Sequence, residues 1–349
     1  MKVGILTGGG DCPGLNAVIR AVVRKGILHY GYAVLGIYEG WKGLLDGGRI
    51  MPLALRDASG ILHRGGTILR SSRTNPLKVE NGIEQIKNNL QKNEIDTIIA
   101  VGGEDTLGVA ARLSSEGCNL VGVPKTIDND VMGTERTFGF DTAINIAMEA
   151  IDRVHTTAEA HNRVMVVEVM GRHAGWIATE AGIAGGADII LIPEKTMYVD
   201  QVCEMIRRRH SRGKDFSIVV VAEGAKLRMN RENEKELQIL RDRKLDAFGH
   251  VRLGGIGNEL ADLIEEATGY ETRAIILGYI QRGGSPSAFD RVLATRFGVH
   301  AIDYVHRGEF GNMVALQGSK IVPYPLADVV DKIKTIDQEL IDTAEVFFG

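Results

Sequence analysis

The stretch Lys2–Leu15, KVGILTGGGDCPGL, decides the fold class. A short apolar run breaks into three glycines, an acidic residue, a proline and a fourth glycine, and a helical pattern opens near Leu15. Strand, glycine-rich turn and helix in that order begin a βα unit. The grammar then recurs. Runs at Ala33–Tyr38, Asp96–Val101, Asn119–Val123, Val164–Val169, Asp188–Ile192, Ser217–Ala222 and Arg273–Gly278 are nearly continuous in apolar residues rather than alternating. Strands buried on both faces of a parallel sheet read that way. Between them, Ile144, Ala147, Met148, Ile151 and Val154 share one helical face over 141–159, as do Ile256, Leu260, Leu263 and Ile264 over 254–267. Strand and helix alternate along 349 residues, which predicts an α/β chain with two largely parallel sheets.

Composition narrows the function. With 44% hydrophobic and 25% charged residues, the chain has the apolar mass of a soluble globular protein. A net charge of -4 and a pI near 6.2 supply no basic field for nucleic acid or an anionic membrane. No apolar run approaches the ~18 residues that span a bilayer, and the opening run is too short for a secretory signal. Cys12, Cys118 and Cys203 are odd in number and scattered, which points to a reducing compartment and a cytoplasmic protein. The 43 glycines exceed the usual share of ~7%, and they cluster where strands end.

Those clusters carry the chemistry. Gly8-Gly9-Gly10-Asp11-Cys12-Pro13-Gly14 reads as a phosphate cradle or as a tight turn, and no Gly-Lys-Ser/Thr follows to make it a Walker loop. Gly102-Gly103-Glu104-Asp105-Thr106 sets two carboxylates at the head of a helix, where Glu104 suits a hard cation and the alternative is helix capping. In Pro124-Lys125-Thr126-Ile127-Asp128-Asn129-Asp130, extended backbone would point Asp128 and Asp130 the same way. Paired carboxylates near a cation and a phosphate suit phosphoryl transfer, with Lys125 neutralising the donor. Met170-Gly171-Arg172, Glu223-Gly224 and Arg282-Gly283-Gly284 add anchors for a phosphorylated polyhydroxy substrate. Trp41 reads equally as a lid over a donor or as core. Segment 226–244, with 11 of 19 residues charged, reads as an exposed insertion without a catalytic role.

In order, LTGGGDCPGLNAVIR (6–20), GGEDT (102–106), PKTIDND (124–130), VVEVMGRHAG (166–175), AEG (222–224) and ETRAIILGYIQRGGSPSAFDR (271–291) resemble the phosphofructokinase family almost end to end. The resemblance implies two Rossmann-like α/β domains with the active site in the cleft between them. Residues 1–140 with 280–323 would bind the donor, and 141–279 with 324–349 would bind fructose 6-phosphate. It implies transfer of a phosphoryl group to the 1-hydroxyl of fructose 6-phosphate. Asp128 would be the base, with Thr126 and Asp130 beside it and Arg172 stabilising the transferring group. Gly10, Arg73, Gly103, Asp105, Thr106 and Lys125 would hold the donor, and Glu104 would hold Mg²⁺. Thr126, Asp128, Asp130, Met170, Gly171, Arg172, Glu223, Tyr279 and Arg282 would meet the sugar phosphate. Arg163 and Arg273 would reach it from a neighbouring subunit, which implies a homodimer or homotetramer.

Two departures from the ATP-using pattern concern the donor. Asp105 stands where ATP-using members usually have glycine, and Lys125 stands where many have glycine. This resembles the pyrophosphate-dependent branch, in which an aspartate fills the space of the nucleotide α-phosphate. A desolvated carboxylate there would repel ATP by several kcal/mol and leave the smaller donor untouched. Pyrophosphate is therefore the expected donor, and ATP on the same scaffold is the alternative. A non-catalytic regulatory subunit would have lost its carboxylates, yet Glu104, Asp128 and Asp130 are all present. Arg20, Arg24 and Arg153 match some effector-site positions of the bacterial enzymes, whereas Lys214-Asp215 breaks a dibasic pair, so the resemblance leaves allosteric control open.

Overall fold

The structure, a computed structural model, describes residues 1–45, 47–229, 236–237, 240–245 and 251–348. Of the charged segment 226–244, residues 230–235 and 238–239, and all side chains beyond residue 229, lie outside the described residues. The expected α/β fold is present, and all eight continuous apolar runs are strands. The chain divides into two compact units: Met1–Thr142 with Arg282–Ile333, and Ala143–Leu245 with Val251–Gln281 and Lys334–Gly349.

The first unit holds an eight-stranded sheet in the order Lys320–Pro325, Asn312–Gln317, Leu120–Thr126, Thr97–Gly102, Lys2–Thr7, Ala33–Ile37, Ile50–Leu53. A short strand, Phe138–Gly139, pairs alongside Lys125 and Thr126. The central pairs are parallel and the two outermost pairs are antiparallel. Thr97–Gly102 and Leu120–Thr126 are buried at every residue, which is why no polar alternation marks them in the sequence. Parallel register brings Thr7, Val101 and Thr126 toward one edge, so their following loops meet. Trp41 is 2% exposed and packs with Leu6, Ile37, Ala100 and Leu107, its indole Nε1 donating to the Thr106 carbonyl at 3.3 Å. It is core, not a lid.

The second unit has a four-stranded, wholly parallel sheet in the order Thr272–Ile276, Val164–Val169, Ser217–Ala222, Ile189–Leu191. The helices Val199–Ser211 and Ile256–Thr268 cover one face with Val202, Ile206, Leu260 and Ile264. Glu168, 2% exposed in the middle of this sheet, accepts the backbone N–H groups of Gly255 at 3.0 Å and Gly257 at 2.8 Å. Its carboxylate satisfies donors at the start of Ile256–Thr268, as burial of a charge demands. Among the described residues, no helix is long and apolar enough to cross a membrane.

Candidate active site

In the first unit, the loop after Lys2–Thr7 is fastened by its backbone. Gly8 N donates to the Val101 carbonyl at 2.9 Å and Gly9 N to the Ser72 carbonyl at 3.0 Å, while Ser71 Oγ donates to the Gly9 carbonyl at 2.5 Å. Arg73, next to Ser72, is thereby set beside the loop with an exposed side chain. Gly9 needs the left-handed region, at φ +77°. Gly8 and Gly10 are glycines for lack of room. A Cβ at Gly8 would lie 2.6 Å from Thr106 Oγ1, and one at Gly10 would lie 2.7 Å from an Arg282 guanidinium nitrogen. The glycine cluster thus admits protein side chains as well as leaving backbone bare. Thr106 is buried as a spacer between Gly8 and Gly102.

Two helices begin at this edge, Leu15–Tyr30 after Gly14 and Glu104–Ser115 after Gly103, and neither takes a side-chain cap. Their first N–H groups and the helix dipoles favour an anion there. Lys125 is 3% exposed and its ammonium donates to the Gly10 carbonyl. Burial pushes this ammonium below its ordinary value. Arg282 comes to the same loop, with a guanidinium N–H 3.5 Å from the Asp11 carbonyl. Gly10, Lys125 and Arg282 are therefore one cluster, although the last two are 157 positions apart along the sequence and no local spacing signals their approach.

The strand that carries Lys125 ends at Thr126, and the chain bends at Ile127–Asp128. Asn129 follows at φ +52°, so the extended alternation expected for Asp128 and Asp130 does not hold. A side chain that tolerates left-handed backbone supplies the turn instead. Thr126 Oγ1 accepts the Asp128 N–H at 3.1 Å, and buried Asn129 Oδ1 accepts the Thr137 N–H at 3.0 Å. Asp128 Oδ1 is shielded from solvent and has no hydrogen-bond partner among the described residues. Glu104 Oε1 accepts the backbone N–H of Asp331 at 3.3 Å, and Asp331 is itself at φ +56°. Asp105 is the next residue on the same first turn.

In the second unit, Val169 and Ala222 end paired strands, so Met170-Gly171-Arg172 and Glu223-Gly224 leave side by side. Glu223 N donates to the Val169 carbonyl at 2.8 Å and Gly224 N to the Gly171 carbonyl at 3.1 Å. A Cβ on Gly224 would collide with the Arg172 carbonyl oxygen. Fully buried Gln281 accepts the Met170 N–H through Oε1 at 3.3 Å; its place in the site is absent from the sequence reading, and only its position beside Arg282 could have signalled it. Arg172 Nε is buried without a partner among the described residues, and Tyr279 is 69% exposed.

Arg163 and Arg273 stand elsewhere. Both bridge Glu271 Oε1 at 2.7 Å, and Arg273 also reaches Glu265 at 3.1 Å. They sit at the beginnings of the strands Val164–Val169 and Thr272–Ile276, whose far ends lead into Met170 and Leu277, about 23 Å and about 13 Å away at ~3.3 Å per residue. The structure does not bring them to the Met170–Glu223 group.

The phosphofructokinase family model matches residues 2–305. The chain belongs to the phosphofructokinase family. It is 59% identical, over the full length of both chains, to a pyrophosphate–fructose 6-phosphate 1-phosphotransferase of Streptomyces coelicolor. Identity to an ATP-dependent 6-phosphofructokinase 2 of the same organism is 51%, again over both full lengths. The solved phosphofructokinase of Saccharomyces cerevisiae superposes with a TM-score of 0.79 at 34% identity, covering 94% of this chain and 45% of that longer one. The two α/β units are thus a phosphofructokinase fold.

Proposed function

We propose that this chain moves a phosphoryl group from pyrophosphate to the 1-hydroxyl of fructose 6-phosphate, reversibly, as a glycolytic transferase of the cytoplasm. The observation that carries the donor is Asp105, a carboxylate on the first turn of an otherwise uncapped helix beside the Gly10–Lys125–Arg282 cluster. By the family resemblance it occupies the room of a nucleotide's inner phosphate, where negative charge and bulk exclude ATP. The greater similarity to a relative named for pyrophosphate supports this choice.

The residues divide the work. Lys125 supplies fixed positive charge where the donor's phosphates would lie, and Gly10, Gly103, Thr106 and Arg73 frame that place; Arg282, expected to meet the sugar phosphate, also reaches this loop and adds its charge there. Asp128, with an unpartnered oxygen held out of water, accepts the proton of the sugar hydroxyl. Thr126 orients the Asp128 backbone, and the family resemblance assigns Asp130 and Arg172 to the transfer step. Met170, Gly171, Glu223 and Tyr279 bind the sugar phosphate.

Glu104, on the first turn of Glu104–Ser115, offers a carboxylate to Mg²⁺, which keeps its waters and takes one or two carboxylates together with phosphate oxygens. Glu104 would hold it. The ion would supply charge neutralisation on the transferring phosphoryl group. Arg163 and Arg273, lying at the far strand ends of their own unit, would serve the sugar site of another copy in a homodimer or homotetramer.

The test is product identity. Incubating the chain with pyrophosphate, Mg²⁺ and fructose 6-phosphate should give fructose 1,6-bisphosphate and phosphate in equal amounts by ³¹P NMR. Release of phosphate without sugar bisphosphate would refute the reading.

A further inference from the structure

Asp290 belongs to the stretch Ser285–Arg291 but has no part in the chemistry above. It lies in the first turn of the helix Ala288–Arg307 and is fully buried. One oxygen, Oδ2, accepts both the backbone N–H of Thr142, at 2.8 Å, and the Thr142 hydroxyl, at 2.5 Å. Thr142 Oγ1 in turn accepts the N–H of Ser287 at 2.9 Å, and Ser287 Oγ donates to Asp141 Oδ2 at 2.5 Å while accepting the Asp290 N–H at 3.2 Å. These four residues close a ring that ties the first turn of Phe140–His161 to the first turn of Ala288–Arg307.

The other side of the tied segment is the catalytic loop's backing. Phe138 and Gly139 pair with Lys125 and Thr126. Thr137 Oγ1 donates to the Thr126 carbonyl at 2.8 Å and Thr137 N to Asn129 Oδ1 at 3.0 Å. Residues 137–142 therefore touch Lys125, Thr126 and Asn129 on one side and Asp290 on the other, with Asp128 inside the supported stretch.

We propose that Asp290 is a positioning residue for phosphoryl transfer, fixing the strip 137–142 and thereby the register of Lys125–Asn129. The proposal rests on Asp128 being the base. A carboxylate suits the task because a single charged oxygen takes two donors from the same residue, whereas an amide offers one neutral acceptor and two hydrogens without acceptors. The charge is held at a cost. Burial, opposed by the Thr142 bonds, pushes the Asp290 carboxyl up to about 6 from 3.8. The groups facing it are the Asp141 carboxylate, which raises it further, and the buried Cys12 thiol. Because the folded value is the higher one, the folded chain gains stability as pH falls through about 6 toward 4 and carries the full penalty above about 7.

Asp290→Asn separates positioning from stability. Above about pH 7 its Tm should equal or exceed that of the parent, and the margin should shrink toward pH 5 as the parent carboxyl takes up its proton. Its kcat should nonetheless fall about tenfold or more, as small misplacements of catalytic groups do, with both KM values within about threefold. Thr142→Ser should behave as the parent, and Thr142→Val should lose part of kcat. Unchanged kcat in Asp290→Asn, or kcat and Tm falling together, overturns the proposal. So does an Asp290→Asn chain that will not fold if Thr142→Val keeps full kcat. Asp128→Asn is measured in parallel: if it retains turnover, the base assignment fails whatever Asp290→Asn does.

Discussion

The two units build their strand-end loops by different means. In the first, backbone bonds from Gly8 and Gly9 are joined by side chains turned inward, a buried cation among them: Lys125 on the Gly10 carbonyl, Thr106 in the space beside Gly8 and Gly102, Asn129 on Thr137. In the second, the loops after Val169 and Ala222 are tied by backbone, Glu223 N to Val169 and Gly224 N to Gly171, with acceptor oxygens of Gln281 and Glu194 taking the Met170 and Gly175 N–H groups. The difference teaches where charge can be held. A frame of interior side chains fixes a buried cation where a small polyanion lands, whereas a backbone frame leaves its side chains to meet a bulkier, hydroxyl-rich ligand.

Four substitutions or labels break or sharpen that contrast. The largest effect is expected for Asp128→Asn, on the order of 10³-fold in kcat with both KM values and the Tm little changed, read by steady-state kinetics and thermal melting. Lys125→Met should cost about 100-fold in kcat/KM for pyrophosphate, the worth of a charge-assisted contact in a buried site, and leave the KM for fructose 6-phosphate near its parent value. Equal damage to both substrates would dissolve the contrast. Gly224→Ala forces the Arg172 carbonyl aside; it should raise the KM for fructose 6-phosphate about tenfold, lower stability by about 1–3 kcal/mol and spare the KM for pyrophosphate. The smallest effect belongs to Cys12, whose thiol is buried and pushed up to about 12 by desolvation. At neutral pH a thiol reagent should label half-buried Cys118 first and leave Cys12 intact by mass spectrometry, with activity retained.

Much of the fold is legible in the chain because parallel strands buried on both faces cannot hide their apolar continuity. The strands missing from that reading are edge elements or their neighbours. Ile50–Leu53 and Lys320–Pro325 close the two sides of the eight-stranded sheet, and Pro52, Pro323 and Pro325 within them argue against a strand when read locally. At an edge a missing N–H costs nothing and discourages further pairing. The site is legible as residue types at strand ends. Its joins are not: Arg282 at the first loop and Asp290 beneath Thr142 depend on packing across more than 100 positions, and the bend at Asp128 depends on a left-handed Asn129. No local periodicity encodes such approaches.

The central claim is the donor, and one paired assay tests it. With Mg²⁺ and saturating fructose 6-phosphate, initial rates with pyrophosphate and with ATP are compared for the parent chain and for Asp105→Gly. The account predicts turnover with pyrophosphate and little or none with ATP in the parent, and a gain of ATP use when the Asp105 carboxylate is removed. Robust ATP turnover and none with pyrophosphate in the parent would contradict it.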